Sequence, residues 1–265
     1  MTDKTFPLNT GQRIPALGLG MSRRLIRLQS GYKLVDGAYC YANEDEVGAG
    51  LKEAFDAGVK REGRVCVTKV WNTYNTRSLK ALGLDYHWPI LMNPEAPDGS
   101  RDIIRTHNHV KLVATGKTKA IGVCNYSKRY LEQLLAEATI VPAVNQIENH
   151  PGICERNLSS AAGDCRPVQG EGIHIMAYKP VVKIAEKHGV SPSTVLLSYH
   201  ISRGSTVLPK SVTPERIKQN MVLIDLDAED QKLLQNYSDQ LTKEGKLQRF
   251  VYPPFNVDFG FPDKS

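Results

Sequence analysis

No run of roughly 18 apolar residues, the length that crosses a bilayer as a helix, occurs in these 265 residues. A membrane span is therefore not expected. The opening stretch Met1 to Leu8 lacks the apolar core of a secretory signal, so a cytoplasmic protein is expected. Cysteine is scarce. There are five, at Cys40, Cys66, Cys124, Cys154 and Cys165, and none are spaced as CxxC. An odd number without that spacing argues against a disulfide framework and against a cysteine-bound zinc site. Cys40, Cys66 and Cys124 lie in apolar or strand-like runs, where small buried hydrophobes belong. The formal charge of +6 comes from scattered Lys and Arg. It lacks the dense basic stripe that nucleic-acid binding needs, and either a mobile anionic ligand or ordinary surface bias accounts for it.

Two nucleotide-binding fingerprints are also missing. Gly18-Leu19-Gly20 begins one, but Arg23 stands where the third glycine belongs. Gly116-Lys117-Thr118 ends the other, but Lys111 stands where its first glycine belongs. His107, His109, His150, His174, His188 and His200 show no paired ligand spacing, so no metal is expected.

What is present alternates. TFPLNTGQRIPALGLG holds two short runs around Thr10-Gly11, the signal of a hairpin. Strands are expected at 33–39, 64–71, 119–127, 141–149, 172–180 and 205–211. Helices are expected at 44–58, 127–138, 181–189, 191–204, 213–221 and 227–241, with Ser127 as an N-cap. Near-continuous apolar strands alternating with helices imply a parallel α/β fold. Asp36, Lys69, Asn125, Gln146, Tyr178 and Lys210 each fall at or just past the carboxyl end of a different expected strand. In a (β/α)8 barrel those ends share one mouth, where catalysis sits, and the length suits one such domain over 1–265.

Taken singly, Asp36, Tyr41 and Lys69 have ordinary explanations as a turn residue, a packed ring and a solvated strand end. The strings around them carry more. DGAYCYANEDEVG (36–48) resembles the aldo-keto reductase signature, in which an Asp is followed five residues on by a Tyr and then Asn-Glu. VTKVW (67–71) resembles that family's catalytic-Lys strand, and HWP (87–89) its catalytic-His segment. IGVCNYS (121–127), VNQIENHP (144–151), AYKP (177–180) and LPKSVTPERIKQN (208–220) are similar to its cofactor-binding strings, in order. The tail VYPPFNVDFGFPDKS is similar to fungal NADP-dependent glycerol dehydrogenases and glyceraldehyde reductases.

The resemblance implies a TIM barrel with an N-terminal β-hairpin and a tetrad of Asp36, Tyr41, Lys69 and His87. In that scheme Lys69, held and kept charged by Asp36, eases loss of the Tyr41 proton. His87 orients the substrate oxygen by hydrogen bonding. Hydride from the nicotinamide then meets a carbonyl carbon while Tyr41 delivers the proton. Asn125 and Gln146 resemble the pair that binds the carboxamide, and Tyr178 the ring that stacks on the nicotinamide. Cys124 takes the place of the family's Ser before Asn125. Lys210, Ser211, Arg216, Gln219 and Asn220 resemble the adenosine end of the site, where two cations favour NADPH over NADH. Trp71 and Trp88 resemble residues that line the substrate pocket together with His87. A monomer acting on a small carbonyl or polyol such as glyceraldehyde is the implied state, without nucleic-acid or membrane partners.

The sequence also departs from the family. MSRRLIRLQS (21–30) shortens the first helix, NTYNTRSLKALG (72–83) the third and THNHVKLVATGK (106–117) the fourth, while 150–172 replaces the sixth. LGLDYHWP (82–89) lacks the apolar fourth strand, so the barrel is expected to be incomplete there unless HWPILMN (87–93) slides in, which would displace His87. Each departure is abrupt and each intact block close, as when whole segments are lost. A second reading follows: a catalytically impaired relative that binds only NADP(H) or a protein partner.

Overall fold

The structure, a computed structural model, describes residues 3–21, 31–69, 75–85, 90–92, 113–150, 166–169 and 179–247. It opens on the expected hairpin. Strands β1 (Thr5–Pro7) and β2 (Arg13–Pro15) pair antiparallel, with Phe6 opposite Ile14. Gly11 makes the turn at φ +78, a conformation that costs glycine little, and its N–H donates to the Leu8 carbonyl at 3.0 Å.

Eight parallel strands follow, side by side in chain order. They are β3 (Leu19–Gly20), β4 (Leu34–Asp36), β5 (Val65–Lys69), β6 (Ile90–Met92), β7 (Ile121–Cys124), β8 (Val144–Ile147), β9 (Arg166–Gln169) and β10 (Thr206–Val207). The first and last members then meet. Leu17 bridges Val207 and Gly20 bridges Lys210, both parallel, and the Gly18 N–H donates to the Val207 carbonyl at 2.9 Å. That contact closes the sheet into a ring and leaves no open edge between β3 and β10. Close approach there depends on Gly18. A Cβ at that position would lie 2.5 Å from both Leu208 Cδ2 and Leu34 Cγ, in the packed core.

Helices alternate with the strands. α1 (Glu44–Asp56) lies between β4 and β5, α2 (Asn75–Leu82) follows β5, and α3 (Lys128–Glu137) follows β7. α4 (Lys179–His188) and α5 (Pro192–Ser202) precede β10, while α6 (Pro214–Gln219) and α7 (Ala228–Lys243) come after it. This is the (β/α)8 barrel that the sequence implies. Ser127 caps α3 as expected, accepting from the Tyr130 N–H. β4, β7 and β8 are buried along their whole length, as a ring with packed interior and helical jacket requires. Leu17, Leu19, Leu34, Val67, Val144 and Val207 belong to the main core, and a second core joins α4, α5 and α7 through Ile184, Leu196 and Leu234.

Three local differences from the sequence reading bear on the site. The fourth place in the ring is filled by Ile90–Met92, so 87–93 does contribute a strand. Beside β8 the ring holds Arg166–Gln169, which pairs with it residue for residue; of the strand expected at 172–180, residues 172–178 lie outside the described residues. Lys179 and Pro180 open α4 instead of ending a strand, because a proline in the first helical turn gives up no hydrogen bond. The strand expected at 33–39 stops at Asp36, and Tyr39–Tyr41 tightens into a 3-10 turn. Of the shortened segments, 22–30, 72–74, 106–112, 151–165 and 170–172 lie outside the described residues. Among the described residues no helix is long and apolar enough to cross a membrane.

Two predictions concern this framework. Gly18→Ala should destabilise the chain by about 1–3 kcal/mol in a urea melt, because the added methyl overpacks the ring closure. The second concerns His200 on α5, which is 3% exposed. Its burial, followed by the charges of His150 and Arg203, pushes its pKa down from 6.5 to about 3. Below pH 6.5 the unfolded chain takes up a proton that the folded chain refuses, so the contribution is complete above 6.5 and drains as pH falls toward 3. Stability should drop by about 1 kcal/mol per pH unit across that window, and His200→Gln should flatten the slope.

Candidate active site

Carboxyl ends of parallel strands converge on one mouth in a closed barrel. Asp36 ends β4 and Lys69 ends β5, two neighbours in the ring. The Lys69 Nζ donates to Asp36 Oδ2 at 2.7 Å and to the Gly37 carbonyl at 3.2 Å. The Asp36 side chain has no exposed surface, while that of Lys69 keeps 16%, so the pair is sunk in protein with its cationic end toward the opening. Tyr41 lies at the end of the 3-10 turn that follows β4, half-buried, and the Lys69 Nζ stands 4.8 Å from its ring centroid. Residues scattered over positions 36, 41 and 69 thus form one cluster of carboxylate, ammonium and phenol.

Gln146 joins the cluster from the far side of the ring. It lies in β8, is 3% exposed, and donates its Nε2 to Asp36 Oδ1 at 3.0 Å. Both carboxylate oxygens of Asp36 are therefore occupied, one by a cation and one by an amide. The sequence reading assigns Gln146 to the carboxamide alone and does not anticipate this bond across 110 positions. Asn125 follows β7 in the left-handed region at φ 59, with its N–H donating to the Gln146 carbonyl at 2.9 Å. Asn tolerates that conformation better than most residues. Cys124 before it is buried at the end of the strand. Ala42, next to Tyr41, is the other non-glycine residue with positive φ among those described, at φ 51. Both strained backbones sit at the mouth.

At the closure of the ring, Lys210 is exposed and bridged to Gly20, and Ser211 is buried, with its Oγ accepting from the Thr213 N–H at 3.1 Å. Arg216 and Gln219 are exposed on α6, and Asn220 caps that helix. α6 is pinned to the barrel by Tyr32, whose buried hydroxyl donates to the Ile217 carbonyl at 2.8 Å. Trp71, His87, Trp88 and Tyr178 lie outside the described residues.

Several neighbouring groups carry no sequence signal. Thr68 Oγ1 donates to Glu44 Oε1 at 2.6 Å, both residues buried. Glu148 and His150, just past β8, approach to 3.2 Å. Away from strand ends, His188, Asp227 and Asp230 place ligand atoms within 4.8 Å of one another. The Lys187 ammonium already donates to Asp227 at 2.6 Å and to Asp230 at 2.8 Å, supplying the positive charge there.

Comparison with known proteins agrees with this geometry. The model of the aldo/keto reductase family matches residues 25–183 and 173–239. The chain is 54% identical to a D-galacturonate reductase of Hypocrea jecorina, covering all of both chains. That alignment runs over 315 residues against the 265 here, so segments of the relative have no counterpart in this chain. It is 37% identical to a glycerol 2-dehydrogenase (NADP(+)) of Saccharomyces cerevisiae, over 96% of each. Among solved structures, a Bombyx mori aldo-keto reductase in complex with NADP superposes with a TM-score of 0.81 at 26% identity, covering 89% of this chain and 93% of the other. With an ammonium, a buried carboxylate and a phenol gathered at the mouth of a closed eight-stranded ring, the chain belongs to the aldo/keto reductase family and is an NADP-dependent oxidoreductase.

Proposed function

We propose that the chain, as one unit over 1–265, reduces small sugar-derived aldehydes to alcohols, with Tyr41 as the proton donor. NADPH-dependent reduction of a carbonyl is the general reaction of its family, and NADPH supplies the hydride when bound. The observation that carries the assignment of Tyr41 is the Lys69 ammonium, held at 2.7 Å by Asp36 and 4.8 Å from the Tyr41 ring centroid. A phenol, with a reference pKa of about 10, gives up its proton reluctantly near neutrality. A fixed ammonium beside it stabilises the phenolate left behind, and Asp36 fixes that ammonium at small conformational cost. The buried carboxylate is in turn oriented by Gln146.

The residues present fit NADP(H). Gln146 spends its Nε2 on Asp36, which leaves Oε1 to accept from a carboxamide N–H. Asn125, placed beside it by its own left-handed turn, adds a second amide. Cys124 in the Ser position offers only a weak S–H donor, so it contributes packing more than hydrogen bonding. Lys210 and Arg216 present two exposed cations around Ser211 at the closure of the ring, a donor set suited to a 2′-phosphate. Gln219 and Asn220 extend the same face of the adenosine end. Tyr178 for stacking, and Trp71, Trp88 and His87 for substrate, complete the reading from the resemblance. The relative that acts on D-galacturonate supports a sugar-derived aldehyde, and the glycerol 2-dehydrogenase a smaller polyol.

Purified chain should consume NADPH with glyceraldehyde or D-galacturonate, and Tyr41→Phe should lower kcat by about 10²–10⁴-fold. NADPH should still quench tryptophan fluorescence of that variant. Quenching by NADPH without turnover in the unsubstituted chain, across a panel of small aldehydes, would favour the non-catalytic binding protein instead. At the other end of the site, replacing Lys210 and Arg216 together by Ala should erode the preference for NADPH over NADH by about 10–100-fold in kcat/KM, the worth of a charged hydrogen bond.

A further inference from the structure

The segment that carries Tyr41 is tied at both ends to successive residues of one strand. At its start, Lys69 donates to Asp36 and to the Gly37 carbonyl, and the Gly37 N–H donates to the Val67 carbonyl at 2.9 Å. At its end, Thr68 donates to Glu44, the first residue of α1, at 2.6 Å. Side chains alternate along a strand, so Lys69 serves the mouth while Thr68 serves the helical jacket. Between these ties the backbone makes a 3-10 turn and passes through Ala42 at φ 51. Such a conformation is costly for a non-glycine residue and persists only where the surroundings hold it.

The usual anchor for this helix start is not in use. Asn43 is the N-cap of α1 and 1% exposed, yet its side chain makes no capping bond and both its polar atoms lack a partner. Glu44 and Thr68, 6% and 0% exposed, make the buried hydrogen bond instead. We propose that Thr68, through Glu44, is a positioning residue that sets the distance between Tyr41 and Lys69. The proposal rests on Tyr41 being the proton donor. It assigns neither Thr68 nor Glu44 a contact with substrate. One strand thus carries both the ammonium and the tie that presents the phenol to it.

The test compares Thr68→Val, which keeps the shape and removes the hydroxyl, with Thr68→Ser, which restores it. NADPH and glyceraldehyde are the probes, and turnover by the unsubstituted chain is measured first. No turnover there, nor with any of a panel of small aldehydes, defeats the Tyr41 reading and this proposal with it. Given turnover, Thr68→Val should lower kcat by about 10–100-fold, as a displacement of about 1 Å does. Its KM for NADPH should stay within about twofold, and the alkaline limb of its kcat–pH profile should move to higher pH. Thr68→Ser should return both kcat and profile to the starting values. An unchanged kcat and pH profile in Thr68→Val overturns the proposal, and so does a loss that Ser does not restore. Should Thr68→Val fail to fold, Glu44→Met must show the same split between kcat and KM. Failure of both to fold makes the bond a structural tie and overturns the proposal as well.

Discussion

An ammonium held between a carboxylate and a phenol ring is the contact on which the rest of this molecule depends. Lys69 and Asp36 sit where polar groups are costly to bury, and each is acceptable only because the other is there. Their meeting requires that β4 and β5 be neighbours, in parallel register, with both carboxyl ends at the same level. That in turn needs the ring. Its closure through Gly18 and Gly20 against β10 fixes the curvature that turns eight strand ends toward one opening. Gln146, arriving from β8, shares the same carboxylate. The ion pair is thus the point where local sequence, barrel geometry and chemistry converge.

Much of this was legible from residue patterns. The hairpin around Gly11, the N-cap Ser127, and α1, α3, α5 and α7 all follow periodicity and capping rules that act locally. Asp36 and Lys69 could be placed at strand ends because each closes an apolar run with a charge. β9 could not be read in the same way. Arg166–Gln169 has no alternation, contains Pro167, and is a strand because β8 offers it a ladder. The fourth strand has the same origin. Three residues between β5 and β7 complete a ring whose neighbours would otherwise present bare edges. Tertiary demand makes these elements; the apolar run within 87–93 only offers a strand, and the open place between β5 and β7 selects it.

Within the site, the legible residues are those whose chemistry is unusual for their setting, and the illegible ones act through pairing across the fold. Thr68 before a lysine and Glu44 in the first turn of a helix each look ordinary, since β-branched residues suit strands and acids suit helix starts. Only the fold shows that the two are bonded to each other. Gln146 is similar: the amide is conspicuous in an apolar strand, but its grip on Asp36 spans half the ring. Asn125 is the intermediate case. An amide just past a strand suggests a turn, and its left-handed backbone bears that out.

The short ladders of the ring have a consequence for how the molecule loses function on warming. Two described pairs join β5 to β6, Thr68 opposite Ile90 and Lys69 opposite Leu91, as two join β3 to β4, β7 to β8 and β9 to β10, so one of the short seams lies beside Lys69. Local opening draws first on regions with few hydrogen bonds to break. Parting of this seam would free the carboxyl end of β5 while the four-residue ladder of β8 with β9 still held. Heat inactivation would then run ahead of cooperative melting, and the temperature ceiling of the enzyme would be set by one short ladder, not by the stability of the whole.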